Sequence, residues 1–197
     1  MEIQNDKRDP VKVARQHRPP FQHGCNILGD PENAAIIQTA LKHFDCDRYA
    51  LVSWSVMSNH VHTVFQPWNG YNPDNILQAW KSFSAHALNK RMARSGPVWE
   101  RESFDHAIRT GGQLEQLVEY TELNPVEAGL CDTAANWPFS NQGCGFVMSP
   151  AFKFVPVAEL ERAPIQFRGE LPHLYIDGAT YFVTFCLFDA FDGSKRR

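Results

Sequence analysis

Two histidines and a tyrosine are the side chains here best suited to chemistry on a phosphate. His60 and His62 stand one residue apart in the apolar run His60-Val61-His62-Thr63-Val64-Phe65. In a strand, successive side chains alternate faces, so both imidazoles project from one face and can converge on one ion. Neutral imidazole suits manganese, zinc and other transition ions, and can share a magnesium site with oxygens. Two solvent-facing histidines on a strand edge would read the same way. Tyr120 and Asn124 lie four residues apart, on one face of a predicted helix. A tyrosine oxygen can attack phosphorus, but its ordinary pKa near 10 means that it needs help to lose its proton. Asn124 can lend a carbonyl oxygen to the same metal, or it can simply end the helix before Pro125. A lone helical tyrosine is more often core or surface than nucleophile.

Other residues suit a nucleic-acid backbone. Lys81 and Ser82, in Trp80-Lys81-Ser82-Phe83, can bind a phosphate, while Trp80 and Phe83 sit at core spacing. Arg101, beside Trp99, has similar standing, and Asn59 precedes the histidine pair. His86 and His106 are assigned to surface or packing roles.

These groups need elements to hold them. Residues 1–30 read mainly as loop. Pro31–Phe44 has helical spacing, and Asp30-Pro31 starts it soundly. Tyr49–Val56 and His60–Phe65 read as strands of a hairpin. Asp74–Met92 is the longest helical pattern, and Val98–Ile108 reads as a further strand. Gln113–Asn124 reads as a helix that stops before Pro125, after a poor start at Gly111-Gly112. Asn141–Gly169 shows no strong period beyond a short element near 157–162. Tyr181–Phe188 is a strongly apolar strand.

Composition bounds the function. The chain has 197 residues, 43% hydrophobic and 21% charged, enough for one soluble domain. No apolar run approaches the roughly 20 residues that cross a bilayer, and the polar N-terminus has no signal-peptide core. A cytoplasmic protein without membrane contact is expected. Five cysteines without a CxxC pair read as reduced, structural thiols. The net charge of −3 argues against indiscriminate nucleic-acid binding. Local charge differs: Lys81, Lys90, Arg91, Arg94, Arg101 and Arg109 outnumber Glu100, Glu102 and Asp105, whereas the tyrosine segment carries Glu115, Glu119, Glu122, Glu127 and Asp132.

Five motifs in order then carry a resemblance. They are Val56-Met57-Ser58-Asn59-His60-Val61-His62, Trp80-Lys81-Ser82-Phe83, Trp99 to Asp105, Tyr120 to Leu130, and Trp137-Pro138-Phe139-Ser140. Together they resemble the single-tyrosine HUH transposases, especially the branch associated with repetitive extragenic palindromes (REP, IS200-like). The resemblance implies an α+β fold, with a ferredoxin-like antiparallel sheet and helices packed on one face. It implies Mg²⁺- or Mn²⁺-dependent cleavage and strand transfer on single-stranded or hairpin DNA. His60, His62 and Asn124 match its metal ligands and Tyr120 its nucleophile, which becomes joined to a 5′ phosphate. Lys81, Ser82, Arg101 and Asn59 are the DNA contacts expected with it.

One departure stands out. Gly169 to Phe185 looks like the segment that opens such proteins, yet here it closes the chain. A circular permutation is therefore expected within one domain, 1–197: a core at 25–141, a linker at 142–167 and a displaced first strand at 168–188. That strand should be internal and beside the histidine strand, or swapped into a homodimer. The acidic balance leaves open a catalytically inactive hairpin-binding protein, and a metalloenzyme unrelated to DNA is a third reading.

Overall fold

The computed structural model describes residues 9–16, 25–141, 165–168, 171–174 and 176–188. Its elements are α1 (Pro10–Gln16), α2 (Pro31–Lys42), β1 (Tyr49–Val56), β2 (His60–Pro67), α3 (Pro73–Arg91), β3 (Phe104–Ile108), α4 (Gly111–Glu127), β4 (Ile165–Arg168), β5 (Leu171–Leu174) and β6 (Thr180–Cys186). Four strands form an antiparallel sheet in the order β1-β2-β6-β3, and β4 pairs with β5 apart from it. The fold is α+β, as expected. β6 pairs with β2 from His60↔Cys186 to Phe65↔Tyr181, so the C-terminal strand is internal and beside the histidine strand. The expected linker lies largely outside the described residues, as does the short element near 157–162.

Helices cover both faces of the sheet, which corrects the expectation of one. β2 and β6 are buried along their whole length, and a central strand buried on both faces needs a cover on each. On one face Trp54, Val56, Val61, Phe65, Tyr181, Val183 and Phe185 pack with Ile37 and Leu41 of α2 and with Trp80 and Leu88 of α3. On the other face Val52, Val64, Ile108 and Phe182 pack with Leu114, Leu117 and Tyr120 of α4 and with Ala14 of α1. His60 and His62 belong to this second face by alternation with Val61.

Several local expectations are also corrected. Within residues 1–30, expected to be mainly loop, a short helix α1 begins with Asp9-Pro10, whose Asp9 carboxylate accepts from the Val11 N–H at 2.9 Å. This repeats the Asp30-Pro31 start of α2, where Asp30 accepts from Glu32 N–H at 2.9 Å. The strand expected from Val98 is shortened to Phe104–Ile108: Lys81 Nζ donates to the Glu100 carbonyl at 2.6 Å and the Arg101 carbonyl at 3.2 Å, pulling that segment onto α3.

Helix α4 starts well despite Gly111-Gly112. Thr110 Oγ1 accepts from Gln113 N–H, and Gln113 Oε1 accepts from Arg109 N–H, a variant of the capping box. It also runs through Pro125 to Glu127. Pro125 lies in the last turn, so its missing N–H removes only one late bond. Leu130 N–H then closes on the Pro125 carbonyl and Gly129 N–H on Val126, with Gly129 at φ 69°, a Schellman ending that needs the left-handed conformation.

The outer edge of β1 is covered. Val56 N–H donates to the Phe139 carbonyl, and Trp137 Nε1 donates to the Val56 carbonyl. Where β1 bulges between Leu51 and Ser53, the Asn141 side chain accepts from Trp54 N–H at 2.8 Å. Its amide nitrogen also donates to Glu122 Oε1 at 3.3 Å, tying α4 to this edge.

A chain ending at residue 168 lacks β6 and both pairings that β6 makes. We expect it to show no cooperative thermal transition by circular dichroism. A folded, soluble 1–168 fragment would contradict this.

Candidate active site

The histidine strand brings both imidazoles to the face beneath α4. His60 Nε2 and His62 Nε2 are 3.1 Å apart, and both residues are fully buried. Each ring is held at its other nitrogen. His60 Nδ1 lies 2.7 Å from Asn59 Oδ1, and His62 Nδ1 lies 2.8 Å from Thr184 Oγ1 of β6. An amide oxygen only accepts, so His60 carries its proton on Nδ1 and turns a lone pair on Nε2 toward His62. The Phe182 ring stacks near the His62 ring, with centroids 5.6 Å apart.

Helix α4 completes the arrangement. The Tyr120 ring centroid is 5.3 Å from that of His62, and the residue is 3% exposed. Asn124 follows one turn later and is fully buried. Neither Oδ1 nor Nδ2 of Asn124 has a hydrogen-bond partner among the described residues. An unsatisfied buried amide costs about 1–3 kcal/mol, so a helix cap does not account for this side chain. Arg15 of α1 reaches over the Tyr120 ring at 5.8 Å from its centroid and pairs with Glu127 at 2.6 Å. Arg15 falls in a segment that reads mainly as loop in the sequence, although Asp9-Pro10 signals a helix start there.

The residues present fit a divalent ion. His60 and His62 turn their Nε2 atoms toward each other, and neutral imidazole nitrogens would suit manganese and could share a magnesium site with oxygens. No group of three His, Cys, Asp or Glu side chains that could hold an ion occurs among the described residues. Asn124 offers an amide oxygen that has no hydrogen-bond partner among the described residues. Cys186 pairs with His60 across the strands, but burial pushes its thiol up to about 12, leaving it neutral.

The expected DNA contacts are dispersed. Asn59 is fully buried as the partner of His60. Lys81 is turned inward, its Nζ also 3.1 Å from Ser103 Oγ, and burial brings its pKa down to about 8. Ser82 and Arg101 are exposed. Ser82 belongs to α3, on the face away from the histidines. His86 is exposed and His106 half-buried on β3.

Residues 29–123 match the family model described as Transposase IS200 like. The family match is to the IS200-like transposases. A REP-associated tyrosine transposase of Escherichia coli (strain K12) is 24% identical over 92 residues, which cover 47% of this chain and 53% of that protein. A putative REP-associated tyrosine transposase of Haemophilus influenzae (strain ATCC 51907 / DSM 11121 / KW20 / Rd) is 25% identical over 108 residues, covering 49% and 61%. The matches thus span between about half and three fifths of these relatives' own length. A solved REP-associated tyrosine transposase bound to a REP hairpin superposes with a TM-score of 0.51 at 20% identity, covering 64% of this chain and 81% of that one. This likeness is one of fold. No described helix is long and apolar enough to cross a membrane.

Lys81 provides a test of the loop beside this site. Its folded pKa of about 8 lies below the ordinary 10.5, so between these values the unfolded chain binds more protons. The burial penalty is therefore complete below pH 8 and fades as pH rises toward 10.5. Urea unfolding of wild type and Lys81→Met should show their difference moving in favour of wild type between pH 7.5 and 10. A pH-independent difference would place Lys81 in solvent.

Proposed function

We propose that this chain cleaves and rejoins single-stranded DNA beside a hairpin, with Tyr120 as nucleophile and Mg²⁺ or Mn²⁺ as cofactor. The observation that carries the reading is the Tyr120 ring edge-on to His62, with an Asn124 amide one helical turn away that has no hydrogen-bond partner among the described residues. The IS200-like match and the hairpin-bound structural relative support DNA as the substrate. The internal position of β6 supports the circularly permuted chain order.

His60, His62 and Asn124 would hold the metal. When bound, it polarises the scissile phosphate and neutralises charge that develops there. Tyr120 Oη loses its proton and attacks phosphorus. The Oη–P bond forms as the P–O3′ bond breaks, and the 3′ oxygen takes up a proton to leave as a hydroxyl. The 5′ phosphate stays on Tyr120, which conserves the bond energy for rejoining. The flanking apolar groups, Phe182 above all, exclude water that would otherwise hydrolyse the phosphotyrosine.

A second reading is a hairpin-binding protein without cleavage. It is favoured by burial: His60, His62, Asn124 and Tyr120 are at most 3% exposed, so no strand meets them without movement of the covering helices.

Labelled single-stranded palindromes incubated with Mn²⁺ should give a covalent adduct on denaturing gels, absent with Tyr120→Phe. Equal adduct from Tyr120→Phe would sink the nucleophile, and salt-dependent binding with no adduct under any metal would establish the second reading. Asn124→Leu replaces an amide that has no hydrogen-bond partner among the described residues with an apolar group. It should stabilise the metal-free protein by about 1–3 kcal/mol in urea titrations while weakening metal uptake. A destabilised Asn124→Leu would show that the amide is satisfied within the fold.

A further inference from the structure

Thr184 occupies a position that packing alone would give to valine. It lies in the strand Tyr181-Phe182-Val183-Thr184-Phe185-Cys186 and is 1% exposed. Valine has the same shape, is as favourable in a strand, and buries no hydroxyl. The register sets Thr184 directly opposite His62, and its Oγ1 is 2.8 Å from His62 Nδ1.

A hydroxyl can donate or accept, and the choice sets the proton on His62. With His60 protonated on Nδ1, its Nε2 is an acceptor facing His62 Nε2 at 3.1 Å. In the metal-free protein His62 satisfies that acceptor by carrying its proton on Nε2. Its Nδ1 is then bare, and Thr184 must donate to it. A cation between the two rings requires lone pairs on both Nε2 atoms. The His62 proton then resides on Nδ1, and Thr184 must accept. Neither form changes the net charge of the pair, and both leave every imidazole nitrogen partnered.

We propose that Thr184 is the positioning residue that makes His62 a metal ligand, by reversing the sense of one hydrogen bond when the ion enters. This rests on the metal reading of the site. It goes beyond that reading by placing a residue of the C-terminal strand in control of the His62 tautomer. The hydroxyl also fixes the ring plane, as outer partners of metal-bound histidines do.

The test uses the full chain, ¹⁵N-labelled at histidine, at a pH near 8. Metal-free wild type should show His62 protonated on Nε2, and saturation with Zn²⁺ as a diamagnetic probe should move the proton to Nδ1. Mn²⁺ affinity, read from the electron-paramagnetic signal of the free ion, should fall about 10–100-fold in Thr184→Val. Thr184→Ser, which keeps the hydroxyl, should return it to within a few-fold of wild type. Thr184→Ala serves as the hydroxyl-free variant if the valine form does not fold. Hydroxyl-free protein that binds Mn²⁺ like wild type overturns the Thr184 role alone, as does metal-free His62 already protonated on Nδ1. Wild type that binds neither ion overturns the metal reading, and the reversal with it.

Discussion

The pairing of β6 with β2 is the constraint on which the rest depends. β6 carries opposite chemistries on its two faces. Tyr181, Val183 and Phe185 enter the apolar layer under α2 and α3, and each is at most 3% exposed. Full burial of such side chains stabilises by about 1.5–3 kcal/mol apiece. On the other face Phe182 and Thr184 stand beside Val64 and His62. A slip of one residue would exchange these sets, placing Thr184 in the apolar layer and Phe185 against an imidazole. The same register that secures the core therefore aligns the candidate site.

The two sides of that site are held differently. His60 and His62 sit on an internal strand with neighbours on both edges, and their outer nitrogens are fixed by Asn59 and Thr184. Tyr120 and Asn124 ride on α4, whose polar ties to other elements include Glu122 to Asn141 and Glu127 to Arg15. The Arg15–Glu127 pair is substantially exposed, so it contributes little stability. Apolar contacts through Leu114 and Leu117 carry most of the attachment. The imidazoles belong to the rigid layer, and the tyrosine belongs to a cover.

Much of this was legible in the sequence, for reasons that differ by residue. Strand alternation alone placed His60 and His62 on one face, and helical spacing placed Tyr120 and Asn124 on another. The apolar run at Tyr181–Phe185 announced a core strand. Its position beside β2 came from resemblance, since pairing partners far apart in sequence leave no local mark. A lysine near aromatic residues looks in sequence like a phosphate contact, and only the path of residues 100–103 across α3 reveals Lys81 as a donor to carbonyls. Thr184 passed as an ordinary β-branched strand residue. α1 and the start of α4 were legible in principle, through Asp9-Pro10 and Thr110-x-x-Gln113, but were obscured by their polar or glycine-rich surroundings.

Burial of so many polar groups on one face also needs a physical reason. Ser53, Ser55, Asn59, His60, His62, Thr184 and Asn124 are all at most 1% exposed, where apolar residues would pack at no polar cost. Most are offset by internal bonds: Ser53 to Asn141, Asn59 to His60, and Thr184 to His62. Such bonds restore roughly what burial takes away, so they add specificity of arrangement more than net stability. Asn124 breaks the pattern, with both amide atoms left without partners in the described structure. A buried amide left without partners among the described residues carries a desolvation cost at its place in the fold. That place lies one helical turn from the tyrosine beside His62, where binding a ligand would recover the cost.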